Sequence, residues 1–206
     1  MIQLLNKLQI IGYSGHSYPC IDIAIQSNIE ITGYYDINLK NNNPYKLKYL
    51  GVAPTKNSSN LFIAIGDNKL RKTIFNSLKN HDFINLIHYN SIQSKTSIIN
   101  GTNCVLMPNS VLNSLSIIHE GVIINTGAVV EHECIIESFS HIAPNATLCG
   151  NVHIGQNTFV GANSVIKQGV KIGDNVVIGS GSVIINDIPN NLIVAGNPGR
   201  IINKKK

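Results

Sequence analysis

Every sixth residue from Leu106 to Ile184 is aliphatic, without exception. The series runs Leu106, Leu112, Ile118, Ile124, Val130, Ile136, Ile142, Leu148, Ile154, Val160, Ile166, Ile172, Ile178, Ile184. A second series follows four residues behind and is small or β-branched: Ser110, Ser116, Val122, Ala128, Cys134, Ser140, Ala146, Val152, Thr158, Ser164, Val170, Val176, Ser182. Such a period fits neither an α-helix nor an alternating strand. It is the hexapeptide repeat of a parallel β-helix. Each hexapeptide forms one flat side and a corner, so three make a triangular coil. Coils stack at the ordinary strand spacing of roughly 4.8 Å. The aliphatic residue and the small one point inward in columns, and the others face out.

The first ninety residues lack this repeat, so the 206-residue chain divides into residues 1–90 and 91–206. The N-terminal part alternates strand and helix. Leu8–Ile11 reads as a strand, followed by a helix from about Ser17 to Ser27. Ile29–Tyr35 is a second strand ending at Asp36. Leu61–Ile65 is a third, ending at Gly66, with a helix from about Asn68 to Lys79. Phe83–Ile87 reads as a fourth strand, and the Asn-rich stretch from Asn38 to Asn60 as loop. This alternation argues a small Rossmann-like α/β unit with a parallel sheet.

No apolar run approaches the roughly 20 residues of a membrane span. The start, Met1 to Ile11, is broken by Gln3, Asn6, Lys7 and Gln9 and lacks the form of a signal peptide. A cytoplasmic protein is the expectation. The net charge of +5 is partly the Lys204-Lys205-Lys206 tail. No basic stripe with interleaved aromatics argues for nucleic acid. Cys20, Cys104, Cys134 and Cys149 form no close pair, and buried free thiols are expected.

Two segments carry candidate chemistry. The turn Gly12-Tyr13-Ser14-Gly15-His16 follows the first strand, where an open parallel sheet binds ligands. Its glycines let backbone approach a phosphate, and the next helix offers free N–H groups. The spacing Gly-x-x-Gly is shorter than the full dinucleotide fingerprint. Asp36 lies where an acidic residue would meet a ribose hydroxyl, and Gly66 ends a strand on the same edge. A tight structural turn is the alternative; together these features favour a mononucleotide or nucleotide-sugar site. On the solenoid the informative run is Asn125 to Cys134, containing Glu131-His132-Glu133. His132 and Glu133 fall at a coil corner and can both face out. An imidazole is a suitable general base, and a neighbouring carboxylate holds its tautomer and raises its basicity. The sequence alone leaves Glu131 and Glu133 both open as that partner. His141 falls on a different part of the triangle and is better placed to serve across a subunit boundary. His119 and His153, without a supporting carboxylate pattern, read as structural. The histidine spacings do not suit a zinc site.

With these residues in view, the chain resembles the bacterial sugar acetyltransferases that join a Rossmann-like nucleotide-sugar domain to a left-handed β-helix. It looks most similar to the UDP-4-amino-sugar N-acetyltransferases of the bacillosamine pathway. The wider group includes enzymes described as sialic acid O-acetyltransferases. The resemblance rests on Gly12–His16, on Phe62–Arg71, on Asn85–His88, on Glu131–Cys134 with Phe139-Ser140-His141, and on the ending Val194–Arg200. It implies that His132 is the catalytic base and Glu133 its carboxylate. It also implies that His141, with backbone near Gly150, Ala162 and Ser180, meets acetyl-CoA, and that Val194–Arg200 closes that site. Ser14, Gly15, His16, Asp36, Gly66 and Asn125 would hold the nucleotide sugar. The family pattern has a bulkier aliphatic at Ala162, glycine at Ser180 and a second acid at Tyr35. The first two leave backbone contacts to coenzyme A intact, and the third bears on the choice of sugar or nucleotide. The implied reaction transfers acetyl to a 4-amino-4,6-dideoxy sugar on UDP, without a metal. A prism with outward catalytic residues has no deep pocket of its own, so a homotrimer with shared sites is expected. Rival readings are O-acetylation of a sialic acid or related sugar, and a non-enzymatic β-helix scaffold.

Overall fold

The computed structural model describes residues 7–55 and 59–204. Most of the reading of the extreme N-terminus, the last two lysines of the basic tail, and residues 56–58 of the Asn-rich stretch lie outside the described residues. The N-terminal unit is a three-stranded parallel sheet in the order β2-β1-β3, with β1 (Lys7–Ile11) between β2 (Glu30–Tyr35) and β3 (Asn60–Ile63). Two helices complete it, α1 (Ser17–Gln26) and α2 (Asn68–Ser77). The inward side of α1 carries Cys20, Ile21, Ile23 and Ala24 onto Leu8, Ile10, Tyr34 and Phe62. Asp67 caps α2, its carboxylate accepting the Leu70 N–H at 2.7 Å.

The fourth strand expected for this sheet lies elsewhere. Phe83 makes only an isolated bridge to Leu61, whereas Leu86–Ile87 pairs in parallel with Val105–Leu106 of the solenoid. Asn85 forces the step between the two. Its side-chain N–H donates to Gly101 O at 3.0 Å and its oxygen accepts from Cys104 N at 2.8 Å. These bonds tie the chain to the coil one residue before the strand begins.

The solenoid is a parallel β-helix of about 6 turns, of the left-handed hexapeptide class. Its three faces are sheets of eight, six and five strands. The register is a strict 18 residues from coil to coil over the central turns, as in Val130 with Leu148 and Ile136 with Ile154. All fourteen members of the aliphatic series are 2% exposed or less, and the small series behind them is buried too. Several hydroxyls of that second series satisfy buried carbonyls: Ser140 donates to Gly155 O and Thr158 to Gly173 O, at 2.6 and 2.7 Å, whereas the buried Ser110 hydroxyl has no partner. The top is closed by Leu192–Ala195, which pairs antiparallel with Arg200–Lys204.

Each corner turns through a left-handed residue. Positive φ recurs every six residues from Asn103 to Gly181, and Asn or Gly fills the position except at Leu115, Glu133 and Phe139. Those two residue types bear this backbone most cheaply.

The three faces differ. Outward residues of the eight-stranded face, Val105 and Ile123, are buried because the N-terminal unit packs on them through one shared core. The six-stranded face points Val111, Val129, Val165 and Val183 outward in a column with Thr147, and no described element covers it.

Truncating one member of the inner columns should show how far they carry stability. Leu148→Ala is expected to cost about 2–5 kcal/mol, the range for cavities in rigid cores, read from the denaturant midpoint. A loss below about 1 kcal/mol would show that the stack collapses around the gap.

Candidate active site

His132 and Glu133 sit where the chain leaves the six-stranded face for the five-stranded one. His132 Nδ1 lies 3.0 Å from Glu133 Oε2. Between the two carboxylates the sequence left open, Glu133 is therefore the one that holds the ring. Both side chains are about half exposed, at 49% and 57%. Glu131 instead continues the strand, its N–H donating to Leu148 O. Gly150 lies one coil further on, directly against the imidazole: a Cβ there would overlap His132 Cε1 and Nε2. Glycine at 150 is thus what lets the ring lie flat along the corner.

Glu133 is the informative exception in the column of corner residues. Its φ is 60° where most corners use Asn or Gly. A left-handed backbone at a non-glycine residue costs roughly 1–2 kcal/mol, and strain of this kind gathers at functional positions.

A second cluster forms where the N-terminal unit meets the eight-stranded face. It brings together His16, Gly66, Asn125 and His141. The His16 and His141 ring centroids are 5.9 Å apart, and His16 packs against Gly66. The tautomer of His141 follows from its neighbours. Asn125 Oδ1 accepts from Thr126 N at 2.8 Å, so its amide N–H faces His141 Nε2 at 3.0 Å. Nε2 is then the acceptor, and Nδ1 carries the proton toward Gly66 O at 3.4 Å. Burial, Arg71 and His16 together push His141 down to about 3. Burial and Arg71 push His16 down to about 4. Neither is a base of useful strength at neutral pH. His16 Nε2 is buried with no hydrogen-bond partner.

The glycine turn is built for a close approach. Gly12 has φ +86°, and a side chain there would strike Ile65. Gly15 has open space around it, so no packing contact accounts for its lack of a side chain. Ser14 is exposed, its N–H held by the Ser17 hydroxyl at 2.9 Å. Asp36 accepts the Tyr13 N–H at 2.9 Å and pairs with Lys40 at 2.9 Å. Burial pushes its carboxyl up, but the Tyr13 N–H and Lys40 outweigh that and leave it below its ordinary value. A groove of about 460 Å³ continues from this edge, lined by Gly66, Asp67, Asn68, Lys69, Phe159 and Val177.

Ala162 and Ser180 stack at the corner between the eight- and six-stranded faces, where Gly181 N donates to Ala162 O at 2.8 Å. Within one chain the candidates therefore form two groups. His132, Glu133 and Gly150 share one edge of the six-stranded face. Asn125, Ala162 and Ser180 share the other, next to His141 and the glycine turn. One reading needs correction: His153 does have a carboxylate, with Nε2 3.4 Å from Glu137 Oε1. The pair lies on the five-stranded face, away from both groups. Burial pushes the Cys20 and Cys104 thiols up to about 12 and Cys134 to about 11, so none is a nucleophile at neutral pH.

Sequence reasoning passed over Asn68, Arg71 and Asn103, which join the two units. Asn103 Oδ1 accepts from Ile63 N at 2.7 Å, and Asn68 Nδ2 donates to Thr158 O at 3.1 Å. The only sequence signal for them was their place inside otherwise ordinary motifs. The Asn/Gly corner period, whose exceptions are Leu115, Glu133 and Phe139, was there to be read.

Two outcomes follow from this geometry. Relieving the corner by Glu133→Asn should raise stability by about 0.5–1 kcal/mol in denaturant titration. An unchanged midpoint would mean the corner is unstrained. His16 and His141 stay neutral in the folded chain, while the unfolded chain binds their protons below about 6.5. Their contribution to stability is thus complete above about 6.5 and declines as pH falls, through about 4 for His16 and about 3 for His141. Imidazole resonances of both should not move between pH 5.5 and 8; a midpoint near 6.5 for either would contradict the burial described.

The family described as the PglD N-terminal domain matches residues 7–78, and the bacterial transferase hexapeptide family (six repeats) matches residues 151–186. The acetyltransferase domain of PglB from Neisseria gonorrhoeae FA1090, solved in complex with acetyl coenzyme A, is 30% identical. The match spans 96% of this chain and 99% of that one, with a TM-score of 0.89. PerB from Caulobacter crescentus, solved with CoA and GDP-perosamine, is 28% identical over 96% of this chain and 97% of its own, with a TM-score of 0.90. WeeI from Acinetobacter baumannii AYE, at 22% identity over 95% and 99% of the two chains and a TM-score of 0.85, shares the fold.

Proposed function

Because the chain belongs to the hexapeptide-repeat sugar acetyltransferases, acetyl-CoA-dependent enzymes, we propose that it transfers acetyl to the 4-amino group of a UDP-linked 4-amino-4,6-dideoxy sugar. The observation that carries the chemistry is the His132–Glu133 pair, 3.0 Å apart on an exposed corner over a glycine. The neutral amine attacks the thioester carbonyl directly. His132 takes the proton lost from nitrogen, and the carbon–sulfur bond breaks to release coenzyme A. Glu133 keeps Nε2 free to accept by binding Nδ1–H and stabilises the imidazolium that forms. A backbone N–H near Gly150 would meet the oxyanion. The weak basicity of His141 and His16 leaves His132 as the base, and His141, with both nitrogens bonded within the chain, would meet acetyl-CoA through its ring.

Residues 1–90 form the nucleotide-sugar unit of this reading, and 91–206 the acyl-transfer unit. Gly15 offers its backbone and Ser14 its exposed hydroxyl to phosphate, Asp36 meets the ribose, and His16, Gly66 and Asn125 line the approach to the amine. The open space at Gly15 and the unpartnered His16 Nε2 support a ligand at this edge. PerB was solved with GDP-perosamine, so the nucleotide base is the part to be tested first. Coenzyme A runs past Ala162 and Ser180, with Val194–Arg200 closing over it.

The two groups of residues flank one bare aliphatic face. Three copies packed around an axis through that face would bring the His132 edge of each against the Ala162 edge of the next. Each site of such a homotrimer takes its base from one subunit and its nucleotide unit and coenzyme groove from a neighbour. Among the described residues no helix is long and apolar enough to cross a membrane. We place the protein in the cytoplasm, where acetyl-CoA and nucleotide sugars are made.

The assay is acetyl transfer to a panel of UDP- and GDP-linked amino sugars and free sialic acid. Activity confined to free sialic acid would replace N-acetylation with O-acetylation. His132→Ala should lose about 10²–10⁴-fold in kcat with little change in acetyl-CoA affinity. Near-normal turnover would exclude the base. Glu133→Ala should cost less, because it tunes the base without replacing it. Val129→Glu, in the middle of the bare face, should yield folded monomers by light scattering, and an intact trimer would move the interface elsewhere.

A further inference from the structure

Arg71 is the largest fully buried side chain among the described residues. It rises from α2 into the junction between the two units. All of its donors are used. Nε donates to Gly121 O at 2.8 Å, and one terminal nitrogen to Ile65 O and Gly66 O at 2.9 and 3.1 Å. The other donates to Asn68 Oδ1 and Phe139 O, each at 2.9 Å. Among the described residues no carboxylate bonds it; Asp67 is near enough to be felt, but its side chain caps α2.

A docking surface needs nothing of this kind to be stable. Apolar burial would hold the units together without direction, and a buried cation without a counter-charge is a costly choice. What the guanidinium adds is geometry. Its planar fork of five donors fits only one arrangement of acceptors. Here two acceptors belong to the end of the nucleotide edge, at Ile65 and Gly66. Two belong to stacked corners of the solenoid, at Gly121 and Phe139, one coil apart. Gly66 O also receives His141 Nδ1, so the same carbonyl joins Arg71 to the imidazole. Asn68 extends the clamp to the following coil through Thr158 O.

We propose that Arg71 is a positioning residue that locks the nucleotide edge to the coils bearing His141, so that the sugar amine and the thioester meet in register. The inference rests on the nucleotide-sugar reading above and assigns Arg71 no contact with substrate. The charged and titratable groups around the junction are His16 from the start of α1, Cys20 within it, Asp67 and Arg71 from the second helix, and Cys104 and His141 from the solenoid. With Arg71 in place, the cation beside His16 and His141 adds to burial in keeping both neutral.

The test uses Arg71→Lys in the full chain, which keeps a charge but cannot span acceptors on both units. The expected result is a folded assembly that binds UDP and coenzyme A separately within about threefold of wild type, while kcat falls on the order of 10²-fold, the usual effect of an ångström-scale misalignment. In the same substrate-free protein, the Nδ1–H resonance of His141 should broaden or shift. Asn68→Ala is a milder second variant that removes one Arg71 partner and the Thr158 bond; it should move both readouts the same way by less. A folded Arg71→Lys with kcat within twofold of wild type, or with an unchanged His141 resonance, would overturn the proposal. Should Arg71→Lys fail to fold, Asn68→Ala decides by the same two readouts. If the wild type transfers acetyl to no nucleotide sugar, the functional reading fails by itself, and the His141 resonance still decides whether Arg71 sets the junction.

Discussion

The inward aliphatic columns of the solenoid, repeating every 18 residues, are the constraint from which the rest of the molecule follows. Once Val130 must lie over Leu148 and Ile136 over Ile154, every side chain on the prism has its face and height fixed by its residue number. His132 and Gly150 are one coil apart, and so are Ala162 and Ser180, and Gly121 and Phe139. The first spacing lays the His132 ring over a glycine. The second stacks two backbone turns along the other edge of the same face. The third gives Arg71 two carbonyls in line. A packed interior transmits such constraints because it does not deform continuously.

The prism is regular inside and deliberately unequal outside. One face is hidden under the N-terminal unit and one is bare and aliphatic, with candidate site residues along both edges of the bare one. His132 belongs to one edge, and the groove with His141 nearby belongs to the other. No single prism closes a site between them, which is why the chemistry and the assembly are one question in this protein. The environments divide the histidines as well. His132 is open to solvent and held by Glu133, whereas His141 is buried, neutral and already bonded on both nitrogens.

The solenoid was legible because its signal is periodic and every repeat restates it. The strands and helices of the first unit were legible to within a few residues from apolar runs and glycine turns. Leu86–Ile87 was misplaced because a short apolar run does not say which sheet it joins; the two hydrogen bonds of Asn85 decide that, and they reach 16 and 19 residues along the chain. Similarly, the pairing of His132 with Glu133 rather than Glu131 depends on the left-handed turn at 133. The Asn and Gly column hints at that turn but does not orient the side chain. His153 and Glu137 lie 16 residues apart and meet only through coil stacking. Arg71 was invisible as a clamp, since an arginine in an amphipathic helix ordinarily faces water.

The central claim is that each active site takes its base from one subunit and its sugar site from the next. Mixing two inactive proteins tests this most directly: His132→Ala with the double variant His16→Ala, Asp36→Ala, after subunit exchange. Shared sites would regain about one quarter of wild-type activity, the fraction of interfaces that random assortment in a closed ring leaves with both halves intact. No recovery from a mixture shown by mass spectrometry to contain hybrid trimers would place every site within one chain and contradict the account.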